Sequence, residues 1–123
     1  MDKKLILIAE DEIAYGRILK NMLEKEGYEV VVASNGEEFL QLANKRLAAL
    51  VILDLVMPVR NGFQVISDMK KIKKLKEIPI IALSNLGQDE DIERAKKLGA
   101  DEYIVKSDEA LYDVINKIKR LVN

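Results

Sequence analysis

Leu5-Ile6-Leu7-Ile8-Ala9-Glu10-Asp11 is an apolar run that stops abruptly on two carboxylates. Alternating polarity marks a strand with one wet face, whereas an unbroken run of this kind suits a strand buried on both faces. That is the habit of parallel sheets covered by helices. The pattern returns at Leu50-Val51-Ile52-Leu53, which ends on Asp54. Ligands of such sheets bind in the crevice beyond the carboxyl ends of the strands. If the two strands are neighbours, Glu10, Asp11 and Asp54 converge there. Two carboxylates 4 Å apart repel by about 4 kcal/mol at an effective dielectric near 20, and a cation among them removes that cost. Hard oxygen donors with few protein partners suit Mg²⁺, which keeps several waters and often shares its site with phosphate.

Outward from these runs, strand-like and helical patterns alternate five times. Strands are expected over about 4–9, 29–33, 50–53, 78–83 and 102–105, and helices over 13–26, 37–45, 63–73, 88–98 and 108–121. Ile18, Leu19, Met22 and Leu23 are expected to fill the inward face of the first helix, which Gly27 ends. Val65, Ile66, Met69 and Ile72 do the same for the third, and Leu111, Val114, Ile115, Ile118 and Leu121 for the last. Met57-Pro58-Val59-Arg60-Asn61-Gly62 is a loop. Pro79 falls at the start of the fourth strand, where a missing N–H matters least. The lysine-rich run Lys70 to Lys76 reads as a solvated helix end suited to the dipole. Five βα units predict an α/β fold with helices on both faces of a parallel sheet, and 123 residues predict one domain, 1–123.

The chain has 20 basic and 21 acidic residues, so no global positive field points to nucleic acid. The longest apolar runs are too short to span a bilayer, and Met1-Asp2-Lys3-Lys4 shows no signal peptide, so a cytoplasmic location is expected. There is no cysteine and no histidine. Disulfides, thiol chemistry, imidazole bases and His-ligated zinc are thereby excluded. Carboxylates, lysines, hydroxyls and backbone groups remain for chemistry.

Glu10-Asp11, Asp54-Leu55-Val56-Met57-Pro58 with Gly62, Ser84, and Tyr103 with Lys106 fall in that order at the ends of the first, third, fourth and fifth strands. Over essentially its whole length the chain resembles the receiver domain of bacterial two-component response regulators, of the single-domain, chemotaxis-regulator-like kind. The resemblance implies a flavodoxin-like (βα)5 three-layer sandwich with strand order 2-1-3-4-5. It implies that Asp54 is the phosphoacceptor and forms an acyl phosphate, a known use of this residue type. Asp11, Asp54 and the Val56 carbonyl would bind Mg²⁺, with Glu10 reaching it through water, and the ion would offset repulsion of the incoming phosphoryl group. Lys106 would pair with the phosphate, and Ser84 would donate its hydroxyl to it. Tyr103 would swing inward as Ser84 moves, and the fourth helix, fifth strand and fifth helix would form the output surface. The donor would be a sensor histidine kinase or a phosphotransfer protein. The signal would pass to a downstream protein or a lost output domain, with no direct contact to nucleic acid or membrane. Phosphorylation-driven homodimerisation through the output surface is left open. The chain would not be an enzyme beyond catalysing its own phosphorylation and dephosphorylation.

Several features depart from the family pattern or admit other readings. Most receivers carry a cis proline after the lysine, whereas Lys106 is followed by Ser107. The expectation is a trans bond with a rearranged loop or a strained cis bond, since a cis bond without proline costs about 2.5–4 kcal/mol. Asn85 is bulkier than the usual residue and narrows access to Asp54. Val56 and Leu86 hold positions that tune autodephosphorylation. Both are apolar and unable to orient water, which predicts a long-lived phosphoryl group. Taken singly, Asp11 reads equally as a helix cap, Glu12 as a solvated first-turn acid, and Ile13 with Ala14 as either a docking patch for the phosphodonor or simple packing. The alternative functions are a non-phosphorylated pseudo-receiver binding module, against which the intact residue set argues, and a Mg²⁺-dependent phosphohydrolase. The second acid that a hydrolase needs is missing after Asp54.

Overall fold

The computed structural model describes residues 3–123, so the reading of Met1 and Asp2 lies outside the described residues. The chain runs β1 (Leu5–Ala9), α1 (Ile13–Lys25), β2 (Glu29–Ala33), α2 (Gly36–Lys45), β3 (Leu50–Leu53), α3 (Gly62–Lys71), β4 (Ile80–Ser84), α4 (Asp89–Leu98), β5 (Glu102–Val105) and α5 (Leu111–Val122). A single 3₁₀ turn, Lys106–Asp108, separates β5 from α5. The strands form one parallel sheet in the order β2-β1-β3-β4-β5, as expected. No helix among the described residues is long and apolar enough to cross a membrane.

The unbroken apolar strands explain how one sheet carries two cores. Successive side chains of a strand point to opposite faces. Leu5, Leu7 and Ala9 join Val51, Leu53, Ile80 and Ala82 in a core with Phe39 of α2, Val65, Ile66 and Met69 of α3, and Ala95 of α4. Ile6 and Ile8 join Leu50, Ile52, Ile81, Leu83 and Ile104 under Leu19 and Leu23 of α1 and Val114, Ile115 and Ile118 of α5. β2 lies at the edge, and only part of its valine run is buried.

Local boundaries differ from the sequence expectation for physical reasons. Ile18 is 43 % exposed, because the buried positions of α1 are Gly16, Leu19 and Leu23. The glycine takes the inward place and lets the helix approach the sheet. A Cβ there would stand 3.3 Å from Val32 and 3.5 Å from Glu10. α3 stops at Lys71 with Ile72 as its C-cap. The lysine run beyond it is a turn pinned by Leu75, which is fully buried, and by Lys70, whose ammonium donates to the Lys76 carbonyl at 3.0 Å. The Ile78 N–H is used inside this turn, on Leu75, so β4 begins at Ile80. Pro79 precedes the strand and offers only its carbonyl, which accepts from the Val51 N–H at 3.0 Å. Residues 106–110 are taken by the 3₁₀ turn and the approach to α5, and that helix instead gains Val122 as a buried position.

In a parallel βα sheet every helix runs against the strands, so all helix N-termini face the carboxyl edge of the sheet. The first turns there carry Glu37 and Glu38 of α2, Asp89, Glu90 and Asp91 of α4, and Asp113 of α5. The last turns, at the opposite edge, carry Lys25, Lys45, Lys70, Lys71, Lys96, Lys97, Lys119 and Arg120. Both placements complement the helix dipoles.

Candidate functional site

β1 and β3 are paired with Ala9 opposite Leu53, so Glu10 and Asp54 leave the sheet side by side. The ladder holds them one residue further: the Asp54 N–H donates to Ala9 and the Glu10 N–H to Ala33, each at 2.9 Å. Carboxylate oxygens of Glu10, Asp11 and Asp54 lie within 4.8 Å of one another. Glu10 and Asp54 are only 3 % and 6 % exposed, respectively, whereas Asp11 is exposed. Asp11 does not cap α1. Glu12 is the N-cap, and no side-chain cap is made.

Lys106 enters from the end of β5 and is 9 % exposed. Its Nζ lies 2.5 Å from Glu10 Oε1, 3.2 Å from Asp54 Oδ2 and 3.4 Å from Glu12 Oε2. The same ammonium sits over the ring of Tyr15, 4.5 Å from its centroid. No peptide bond among the described residues is cis, so Lys106-Ser107 is trans. The rearranged loop is the 3₁₀ turn, and it leaves the lysine in reach of Asp54.

The second oxygen of each buried acid is held by the backbone. Asp54 Oδ1 accepts from the Val56 N–H at 3.1 Å, and Glu10 Oε2 accepts from the Glu12 N–H at 3.0 Å. Burial pushes the Glu10 carboxyl up to about 7, with the Asp54 charge adding to the rise, while the bonds to Lys106 and the Glu12 N–H pull the other way. Burial disfavours the Lys106 ammonium, but Glu10 and Asp54 outweigh it and hold the group above the usual lysine range. Burial raises the Tyr15 phenol against the pull of the same ammonium.

Ser84, the last residue of β4, is fully buried, and its Oγ accepts from the Leu86 N–H at 3.3 Å. The Tyr103 hydroxyl donates to the Leu86 carbonyl, and burial pushes its pKa up to about 12. The ring of Tyr103 is already packed in the core, so the inward position expected only after a swing is occupied from the start. A cavity of about 260 Å³ opens between Asp11, Glu12, Asp54, Val56, Ser84, Asn85 and Leu86. Asn85 is exposed at its rim. Ile13 and Ala14 are exposed at the start of α1.

The loop after Asp54 is shaped by Gly62. A Cβ there would stand 2.4 Å from the Asp54 carbonyl, while its N–H closes the loop on Leu55 at 3.1 Å. Arg60 bridges Asp68 at 2.7 Å and Glu37 at 3.4 Å, tying the loop to α3 and α2. Sequence reading missed Arg60, and nothing in its spacing marks it. Tyr15 was also missed, since its contact is with Lys106, far away in sequence, and nothing local marks it.

Chemically, Glu10, Glu12 and Asp54 face one ammonium, and Asp11 adds a further negative charge. An all-oxygen donor set with excess negative charge fits a hard divalent cation.

The family model of the response regulator receiver domain matches residues 6–116. The chain is 42 % identical over 106 residues to the probable transcriptional regulator ycf27 of Cyanophora paradoxa, covering 86 % of this chain and 43 % of that protein. It spans about two-fifths of the length of the curated relatives it matches. Among solved structures, chemotaxis protein CheY4 of Vibrio cholerae superposes with a TM-score of 0.90 at 27 % identity, covering 98 % of this chain and 99 % of that one. The HemR receiver domain of Leptospira biflexa gives 0.89 at 31 % identity, covering 98 % and 95 %. A match that runs from β1 into α5, on a sheet of the same order, leaves one conclusion: the chain belongs to the receiver-domain family of two-component response regulators.

Proposed function

We propose that this chain is a phosphorylation-driven switch in which Asp54 accepts a phosphoryl group from a sensor histidine kinase or a phosphotransfer protein. The observation that carries this reading is the placement of the Lys106 ammonium 3.2 Å from the Asp54 carboxylate in a crevice shared with Glu10 and Asp11. An Asp54 oxygen attacks the phosphorus of a phosphohistidine. The P–N bond breaks, its electron pair leaves with the imidazole nitrogen, and that nitrogen takes up a proton. The product is an acyl phosphate on Asp54. Lys106 then pairs with a phosphoryl oxygen as a point charge, and Ser84 turns its hydroxyl toward another.

Glu10, Asp11 and Asp54, with the Val56 carbonyl, would hold a Mg²⁺ ion. When bound, that ion supplies neutralisation of the charge on the transferring group. The residues of the chain exclude water and align donor and acceptor. Residues 1–123 act in this reading as one cytoplasmic receiver domain that modifies only itself.

The readout starts from the Ser84–Leu86 segment. Ser84 engages the phosphoryl group, and Tyr103 is tied to the Leu86 carbonyl. A displacement of this segment therefore reaches β5 and the α4-β5-α5 surface, where a downstream protein or an output domain reads it. A phosphoryl group biases an existing two-state element rather than performing outside chemistry.

Intact-mass spectrometry after incubation with acetyl phosphate tests the reading on wild type and Asp54→Asn, with and without Mg²⁺. One Mg²⁺-dependent phosphate adduct on wild type and none on the variant is expected. Absence of any adduct, also with a kinase donor, turns the chain into a pseudo-receiver binding module. The adduct is expected to be long-lived, because apolar Val56 and Leu86 orient no attacking water. Decay within seconds of donor removal contradicts that part.

A further inference from the structure

We infer that Tyr15 is a positioning residue that holds the Lys106 ammonium over Asp54 through the face of its ring. The inference rests on the phosphoryl-switch reading above. Lysine is a compact charge on a flexible four-carbon stem, so its reach has to be restrained by what its head touches. Here the head touches Glu10, Asp54, Glu12 and the Tyr15 ring, 4.5 Å from the ring centroid.

These partners differ in what happens to them during the cycle. Asp54 loses its free carboxylate when it is phosphorylated. Glu10 is shared with any cation that enters the acidic cluster. Glu12 is exposed and its contact is the longest of the three ion pairs. The ring alone keeps the same charge in every state, and its face attracts an ammonium electrostatically. Tyr15 is also firmly placed. It is half-buried in the first turn of α1, packed against the core under α1 and α5 and next to Gly16, where a Cβ would stand 3.3 Å from Val32 of β2. Lys106 comes from β5 on the other side of the site. The ring thus faces the lysine across the crevice and leaves its ammonium directed at Asp54.

Phosphorylation rates with acetyl phosphate, at fixed Mg²⁺, are measured for wild type, Tyr15→Phe and Tyr15→Leu, each also in a Lys106→Met background. Tyr15→Leu is expected to slow adduct formation about 3- to 30-fold, the range a cation–π contact supplies. Tyr15→Phe keeps the ring face and is expected within about twofold of wild type. In the Lys106→Met background Tyr15→Leu should add no further loss, since its effect passes through the lysine. A second readout uses the unphosphorylated protein with ¹³C-labelled lysine. The Lys106 ε-methylene protons should be shifted upfield by the ring in wild type and Tyr15→Phe, and return to ordinary values in Tyr15→Leu.

Equal rates for Tyr15→Leu and wild type overturn the inference, as does an undiminished loss in the Lys106→Met background. A wild type that forms no adduct with acetyl phosphate and none with a kinase donor overturns the switch reading itself. The methylene shift then still decides whether the ring holds the lysine.

Discussion

Glu10 holds the least comfortable charge of the site. Its carboxyl is buried beside Asp54 and is pushed up to about 7, burial being the main cause, from an unfolded value near 4.3. The folded state therefore binds more protons than the unfolded one between those pH values, and stability falls as pH rises through this window. The contribution is fully present below about 4.3 and lost above about 7, on the order of 3 kcal/mol. Urea unfolding of the metal-free protein should show a midpoint that declines from pH 5.5 to pH 8, and Glu10→Gln should flatten that decline. An unchanged slope in the variant assigns the effect elsewhere. At this scale Asp54 and Glu10 were legible in the sequence because each ends an unbroken apolar run, and the parallel pairing then sets them side by side. Lys106 was legible only through its family resemblance. The missing proline after Lys106 allowed the trans bond to Ser107 as one of two outcomes, whereas the ring of Tyr15 was hidden among ordinary helix residues.

Among the elements, the loop between β3 and α3 is anchored from outside the site. A Cβ on Gly36 would stand 2.2 Å from the Arg60 carbonyl and 2.8 Å from Val65. The start of α2 thus has the loop backbone lying directly upon it. Gly36→Ala is expected to destabilise the protein by about 1–3 kcal/mol, as overpacking does, and the shift should be felt at Val56 on the same loop. Arg60→Ala removes two partly exposed ion pairs and should cost less than about 1 kcal/mol. Denaturant midpoints of the two variants test the order, and a larger loss for Arg60→Ala would show that the bridges rather than the close approach hold the loop. Element type and sequence were readable from periodicity, while boundaries were set by contacts the periodicity does not contain. Leu75 looks like one more residue of a lysine-rich helix end, yet it plugs the core and turns the chain. Ile18 looks like an inward residue, yet Gly16 holds that place because close approach to Val32 and Glu10 requires no side chain there.

For the molecule as a whole, the sheet divides its side chains between two cores and gathers every strand end, with its acids, at one edge. The alternation of five apolar strands with five helices made the parallel fold readable at this scale, while the strand order came with the family resemblance. The gathered carboxylates make the folded state a better ligand for a divalent cation than the unfolded chain. Mg²⁺ should accordingly raise the thermal midpoint, by the equivalent of about 2.7 kcal/mol at a hundred times its dissociation constant, and Asp11→Asn should abolish most of the rise. No rise in wild type contradicts a metal site. The helix first turns surround the same edge with Glu37, Glu38, Asp89, Glu90 and Asp91. An incoming small anion meets this fence of charge before it meets Lys106. Screening weakens it, since the Debye length falls from about 30 Å at 0.01 M salt to about 8 Å at 0.15 M. Acetyl phosphate should therefore react faster as salt is raised at constant Mg²⁺. A rate that falls instead means that Lys106 and the metal dominate the approach. Under the phosphoryl-switch proposal, this acidic edge would act as a kinetic filter, insulating Asp54 from stray anionic phosphodonors and reserving it for a protein that brings positive surface of its own.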